Sequence, residues 1–450
     1  VSTDHYGGGP APRRSLSSAR RRRAGTALTA ALAAAAFVGP TVLGQPAAWA
    51  GVRHGGVVDE QPVSSTPHVL DGRVKAVAPV GDLVVVAGRF DRVAAPDRNE
   101  TVDRHNVFAF DRSTGEISDD FAPDVDGTVT SAVPGPGGGT VHIAGRFDRV
   151  EGENLRGVAL LSTGDGDPVD SFDAGVAGGS VYRADAYGGH LYLGGSFDSV
   201  GGAPRSGLAR VDRRTGAPDP GFDVSPGEAR RGSLRVHELA ISPRGDRLVA
   251  AGTFTRVDDR RRYQIAVIDT AARPAALADW STESYAAPCD YSRLHTYMRR
   301  IDFAPDGSYF AVVTAGGPEN KPGLCKTAAR WETYAGPGAE PTWVNHTGGD
   351  SLYAVEATGA AVYVGGHQRW MDNPDGDHDA GPGAVERSGI AALDPRTGRA
   401  LAWNPGRKRG HGAEALTSAP EGLYVGSDTT GLAGTYRGRL GMFPLPWPRL

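Results

Sequence analysis

The chain of 450 residues is poor in the features that would settle its chemistry quickly. It has two cysteines, Cys289 and Cys325, with no histidine pattern beside them, which argues against a thiolate zinc site. No Gly-x-Ser-x-Gly run exists, so the strained nucleophile turn of serine hydrolases is missing. His237-Glu238 opens a zinc-protease pattern, but position 241 is isoleucine, and two histidines do not share a face. Lysine occurs only at Lys75, Lys321, Lys326 and Lys408; the arginine bias reads as genome composition and carries no mechanism. Apolar residues at three- and four-residue spacing are also lacking, which excludes a long helix.

Charge excludes a further class. Arg20–Arg23, the uncharged Ala24–Val38 and the small-x-small Ala48-Trp49-Ala50 predict a signal peptide over residues 1–50, and hence a secreted, extracellular protein, free or associated with the cell wall. The apolar stretch is too short to span a bilayer stably. Arg13-Arg14 leaves open whether the export signal is of the twin-arginine kind. Without its six arginines and one aspartate, the remaining chain has 42 basic and 51 acidic residues, net −9. That lacks the basic excess of a nucleic-acid binder. In an oxidising compartment Cys289 and Cys325 are expected to be bridged.

What the chain does contain is a repeat. LVVVAGRFDRV (Leu83–Val93), TVHIAGRFDRV (Thr140–Val150), HLYLGGSFDSV (His190–Val200) and RLVAAGTFTRV (Arg247–Val257) are its clearest copies. Weaker ones are Ser308–Thr314, Ala361–Trp370 and Gly422–Asp428. Each apolar run is expected to end in a small-residue turn, and the turn positions Gly88, Gly145, Gly195, Gly252, Thr314, Gly366 and Gly426 are 57, 50, 57, 62, 52 and 60 residues apart. Each copy follows one apolar run and precedes another, then a Thr-Gly or Asp-Gly turn and a short strand closed by an aromatic, as in NVFAFDRSTGEISDDF (Asn106–Phe121). Four strands in ~50–60 residues predict an all-β, seven-bladed β-propeller of four-stranded antiparallel blades over residues 73–450. The seventh repeat is short of an outer strand, so residues 51–72, around Val57–Leu70, are expected to close the ring. Phe90, Phe147, Phe197 and Phe254 are expected to wedge between blades. The second positions of the innermost strands, Lys75, Thr130, Tyr182, His237, Arg299, Tyr353 and Glu414, are all non-aliphatic, as befits a wet central channel.

AGRFDRV through DRSTG, and GGSFDSVGGAPRSGLARVDRRTG, resemble the delta-60 repeats of secreted bacterial β-propellers and share the glycine-pair logic of kelch-type blades. GGHQRW, WNPGRKRGHGAE and GLYVGSD are similar to the C-terminal half of a group of exported actinobacterial propellers without an assigned activity. The resemblance implies a fold and a secreted habit, and carries over no catalytic residue. The Ser-x-Asp-x-Gly-x-Thr-Trp turn of sialidase propellers is absent.

Functional expectation therefore rests on loops. Those joining the second strand to the third, and one blade to the next, ring the channel on one face. In blades six and seven they hold His346, Asp350, His367, Gln368, Arg369, Trp370, Arg409, His411, Glu414 and Asp428. Tryptophan stacks and arginine pairs with carboxylate, so this set suits a glycan or an acidic ligand. Against it stands the possibility that Trp370 packs between blades and the charges hydrate loops. In Met371–Glu386, Asp375, Asp377, Asp379 and Glu386 have the oxygen spacing of a calcium loop, although Ala380 replaces its glycine and Pro382 restricts it; a solvated acidic insertion is the preferred reading. The expectation is a secreted, monomeric, non-catalytic propeller binding a glycan or protein partner through its channel face. The alternative is a secreted carbohydrate-active hydrolase or lyase using the same His, Arg, Glu and Asp residues.

Overall fold

Short apolar runs rich in valine, leucine and alanine, punctuated by glycine, fold as strands that are buried on both faces. The computed structural model describes residues 52–287, 289, 294–316 and 323–446, so the signal segment expected over residues 1–50 lies outside the described residues. Among the described residues all regular structure is β. No helix there is long and apolar enough to cross a membrane.

Among the described residues seven main antiparallel sheets follow one another along the chain, with six smaller ones beside them. Their first strands are Arg73–Val80, Thr128–Pro134, Val181–Tyr187, Val236–Ile241, Met298–Phe303, Leu352–Ala357 and Ala413–Ala419. The motif forms the second strand of each sheet, from Leu83–Arg89 in the first to Gly422–Ser427 in the seventh. A third strand, such as Val107–Asp111 or Leu208–Asp212, pairs beyond it. Each first strand packs on the next, and Ala413–Ala419 packs on Arg73–Val80. Seven apolar clusters have the same order. Each joins two consecutive sheets, and one joins the seventh to the first through Val74, Phe90, Ala415 and Tyr424.

Every first strand carries one irregularity at the same place. The pairing register slips between Val74 and Ala76, Val129 and Ser131, Val181 and Arg183, Val236 and Glu238, Met298 and Arg300, Leu352 and Ala354, and Ala413 and Ala415. The skipped residues are the seven non-aliphatic second positions. Each is the extra residue of a β-bulge, which leaves it unpaired and re-aims its side chain. The bulge also accounts for the repeated glycine. A Cβ on Gly88, Gly145, Gly195 or Gly252 would lie 2.1, 2.1, 2.1 or 2.0 Å from the carbonyl oxygen of Arg73, Thr128, Ser180 or Arg235. These glycines, expected at turns, are instead strand residues without a positive φ, and glycine is needed there for close backbone approach.

Adjacent first strands share no ladder, so side chains satisfy their backbone groups. Ser131 Oγ donates to the Ala184 carbonyl (2.8 Å) and Thr417 Oγ1 to that of Val77 (2.9 Å). Asp185 accepts the Ile241 N–H (2.9 Å), Asp302 that of Ala357 (2.6 Å) and Glu356 that of Ser418 (2.9 Å). These carboxylates line an axial cavity of about 120 Å³ with Lys75, Arg183 and Arg300.

Two details differ from the expected blade. Among the described residues the fourth strand is a strand only in the fourth and fifth sheets, as Ala276–Leu277 and Trp343–His346. In the first, second, third and sixth it shrinks to a single bridge, such as Phe110 with Ile117 or Val211 with Pro218. The second detail is a small hairpin between second and third strands, for example Ser199–Val200 against Ala203–Pro204. Its turn, Gly201-Gly202, has φ of 55° and 75°, the left-handed pair that glycine adopts without strain. At the N-terminus, Asp59 and Val63 donate backbone N–H bonds to Pro444 (2.8 Å) and Met442 (2.9 Å) along the outer edge of the seventh sheet. Val58 N–H bonds Tyr363 Oη (2.9 Å), and the Asp59 carbonyl accepts the Trp403 indole N–H (3.0 Å). Cys289 and Cys325 are disulfide-bonded, Cα atoms 5.8 Å apart, in the cluster between the fourth and fifth sheets.

Candidate ligand site between the sixth and seventh sheets

The sequence of the sixth motif, Gly366-His367-Gln368-Arg369-Trp370, departs from Gly-x-Phe just where the chain leaves the second strand. The consequence is a polar cluster built around Asp350. Its side chain is 2% exposed and takes two guanidinium groups: Arg369 Nε at 2.9 Å on one oxygen and Arg409 Nη2 at 2.7 Å on the other. The Arg369 backbone N–H adds a third bond at 3.1 Å. Arg409 also donates from Nε to the His367 carbonyl (2.8 Å), which fixes its plane while its side chain remains 48% exposed. Arg369 lies over the Trp370 ring, 4.6 Å from the centroid.

A second carboxylate sits at the bulge of the seventh sheet. Burial pushes the Glu414 carboxyl up, but His411, Lys75 and Arg73 outweigh it and hold the group at about 2. Arg73 Nη1 is 2.9 Å from Glu414, and Lys75 bonds its other oxygen. His411 Nδ1 is 3.4 Å away, and the imidazole stacks on Tyr353, the bulge residue of the sixth sheet, at 4.6 Å and 21°. Tyr353 also meets the ring of His367 at 5.7 Å. Burial lowers the pKa of His367, whose Nδ1 contacts the His411 carbonyl at 3.1 Å.

Asp428 closes the cluster from the seventh motif. It accepts the backbone N–H groups of His411 (2.6 Å) and Gly412 (3.0 Å) and faces Arg407 Nη1 at 3.5 Å. Arg407 is 1% exposed and donates to the Gly366 carbonyl at 2.8 Å. Burial lowers its pKa to about 10.

Asp350, His367, Arg369, Arg409, His411, Glu414 and Asp428 are thus brought into one network. Three other expected ligands are placed differently. Gln368 is fully buried, with no hydrogen-bond partner on either amide atom, so it belongs to the packing beneath the site. His346 lies on the fourth strand of the fifth sheet and lines a separate hollow with Asn345, Asp372 and Arg399. Trp370 begins a two-residue strand paired with Val385–Glu386, its exposed area partly covered by Arg369.

The calcium spacing does not become a cage. Among the described residues no three His, Cys, Asp or Glu side chains gather as metal ligands. Asp379 Oδ1 accepts the Asp377 N–H (2.9 Å), while Asn373 binds the Asp379 carbonyl (2.8 Å) and the Gly381 N–H (2.8 Å). The loop is folded on its own backbone, and Glu386 is held away in the hairpin.

Sequence reasoning missed Arg407, Arg73 and the partnership of Lys75 with Glu414. Arg407 stands in Gly406-Arg407-Lys408-Arg409, where nothing local distinguishes a buried arginine from an exposed one. Arg73 and Lys75 lie more than three hundred residues from Glu414, and only the contact between the first and seventh sheets makes them neighbours.

A family model described as "Domain of unknown function (DUF5122) beta-propeller" matches residues 189–222, the second and third strands of the third sheet and the turn beyond them. With the all-β structure, this match supports a β-propeller family for the chain. No curated protein matches it. Among solved structures, a crystal structure of the computationally designed Ika8 protein aligns at a TM-score of 0.48 and 12% identity, covering 86% of this chain and 100% of that one.

Proposed function

We propose that this protein is an exported, seven-bladed β-propeller of the delta-60, kelch-like kind, closed by its N-terminal strap, that binds an anionic glycan or the acidic face of a protein partner without transforming it. Seven sheets with cyclic contacts support the blade number, and the bonds from Asp59 and Val63 support closure.

One observation carries the binding reading: Arg369 and Arg409 are seated on the buried Asp350, so their planes are fixed before any ligand arrives. Guanidinium groups ordered in this way lose little entropy on meeting a carboxylate or sulfate, and two-point pairing adds specificity. His411 and Trp370 supply ring surfaces beside them.

The hydrolase reading fares worse on the same geometry. A glycosidase acid needs a carboxyl with a raised pKa opposite a second carboxylate. Here Glu414 is held at about 2 by the cations and His411 around it, and Asp350 carries two arginines.

The test is a glycan and peptide array probed with the full exported chain, repeated with Arg409→Ala. Retention of uronate-bearing, sulfated or acidic-peptide spots, lost in the variant, is the expected result. Equal retention of the acidic spots by both proteins would contradict the proposal.

A further inference from the structure

A second surface lies at the other ends of the strands, between the fourth and fifth sheets. It is a groove of about 400 Å³, within the usual range for small-ligand sites. Tyr334 lies at its edge and is 47% exposed, one of only two large hydrophobic side chains so exposed among the described residues. The ring is held rather than loose. Its hydroxyl donates to Asp246 (2.9 Å), and the Arg247 guanidinium covers it at 5.3 Å from the centroid.

The remaining lining has two characters. Ala278 and its alanine and leucine neighbours make an apolar floor, into which Trp280 is set. Trp280 is 2% exposed, and its indole N–H has no hydrogen-bond partner. Carboxylates form the other part. Asp269 Oδ1 accepts the Ala271 and Ala272 N–H groups and Arg247, leaving Oδ2 without a partner. Asp279 is 80% exposed, with one oxygen on Arg260 at 2.9 Å and the other unengaged.

The geometry points to a binding site for a neutral saccharide ring in this groove, separate from the anion site between the sixth and seventh sheets. A sugar presents an apolar C–H face and a rim of hydroxyl donors. A pinned aromatic ring beside an apolar floor takes the first, and open carboxylate oxygens take the second. The same open carboxylates disfavour an anionic ligand, because like charges would be brought together. Stacking by a ring already fixed by Asp246 and Arg247 costs little conformational entropy.

Calorimetric titration of the full chain with soluble cello-, chito-, xylo- and malto-oligosaccharides tests this. At least one series is expected to bind saturably. Tyr334→Ala should weaken it about tenfold or more, whereas Tyr334→Phe, which keeps the ring, should stay within about threefold. Arg409→Ala should leave it unchanged, which separates this site from the proposed anion site. Tyr334 is a surface residue, and an unchanged thermal melt of Tyr334→Ala would show that the fold is kept. Failure of all four series to bind at millimolar concentration, or equal binding by Tyr334→Ala, would overturn the inference.

Discussion

The first four motifs and the last two solve one packing problem with opposite chemistries. Two residues after the strand glycine, the first four place Phe90, Phe147, Phe197 and Phe254, each at most 4% exposed and wedged between its sheet and the preceding one. At the same step the sixth places Gln368 and the seventh Asp428. A phenylalanine there completes an apolar cluster and asks nothing of the loops above it. A half-buried carboxylate has to be matched, and Arg407 and two backbone N–H groups do so. Arg369 and Arg409 likewise assemble on Asp350. The cationic surface of this sector is thus tied to the loss of the aromatic wedge beneath it.

Breaking an aromatic wedge should have the largest effect. Phe197→Ala is expected to cost about 3–5 kcal/mol, measured by urea unfolding. Asp428→Ala should cost about 1–2 kcal/mol, because it removes the one carboxylate facing the buried Arg407 and the acceptor of two backbone N–H groups. Restoring apolar character to the sixth motif should do the reverse. Gln368→Met removes an amide with no hydrogen-bond partner and is expected to leave stability unchanged or raise it by about 1 kcal/mol. A loss larger than that of Phe197→Ala would show that Gln368 holds the sheets together.

Acid titration sharpens the contrast between the cation-rich site and the axial cavity. Glu414 is held at about 2, below its ordinary 4.5. A depressed carboxyl stabilises the fold above its unfolded pKa, so this contribution is lost as pH falls from about 4.5 towards 2. Burial raises Asp185 from 3.8 to about 6. The folded state therefore favours its protonated form, and stability falls as pH rises through 6. Glu414→Gln should flatten the acid limb of a stability–pH curve, and Asp185→Asn the limb between about 4 and 6.

The repeat was legible because its period and glycine positions recur through the chain, and the disulfide because the chain's two cysteines can pair only with each other once export to an oxidising compartment is expected. The seven non-aliphatic second positions were visible too, but not their cause, since a bulge is a property of pairing rather than of a single strand. Site residues were legible as a polar cluster and not as individual roles. Asp350 and Gln368 look as exposed as Arg409 in the sequence, yet the strand-end geometry turns both inward. Contacts from Arg73 and Lys75 to Glu414 join opposite ends of the chain, where no local pattern reports them.

The central claim is that arginines seated on Asp350 bind an anion between the sixth and seventh sheets. Its most direct test is calorimetry with an acidic oligosaccharide or peptide retained on the array, comparing the full chain with an Arg409→Ala/His411→Ala double variant at two salt concentrations. The account predicts a loss of about tenfold or more in the variant, a weaker salt dependence of what remains, and a melting temperature within about 2 °C of the parent. Undiminished affinity in a folded double variant would contradict it.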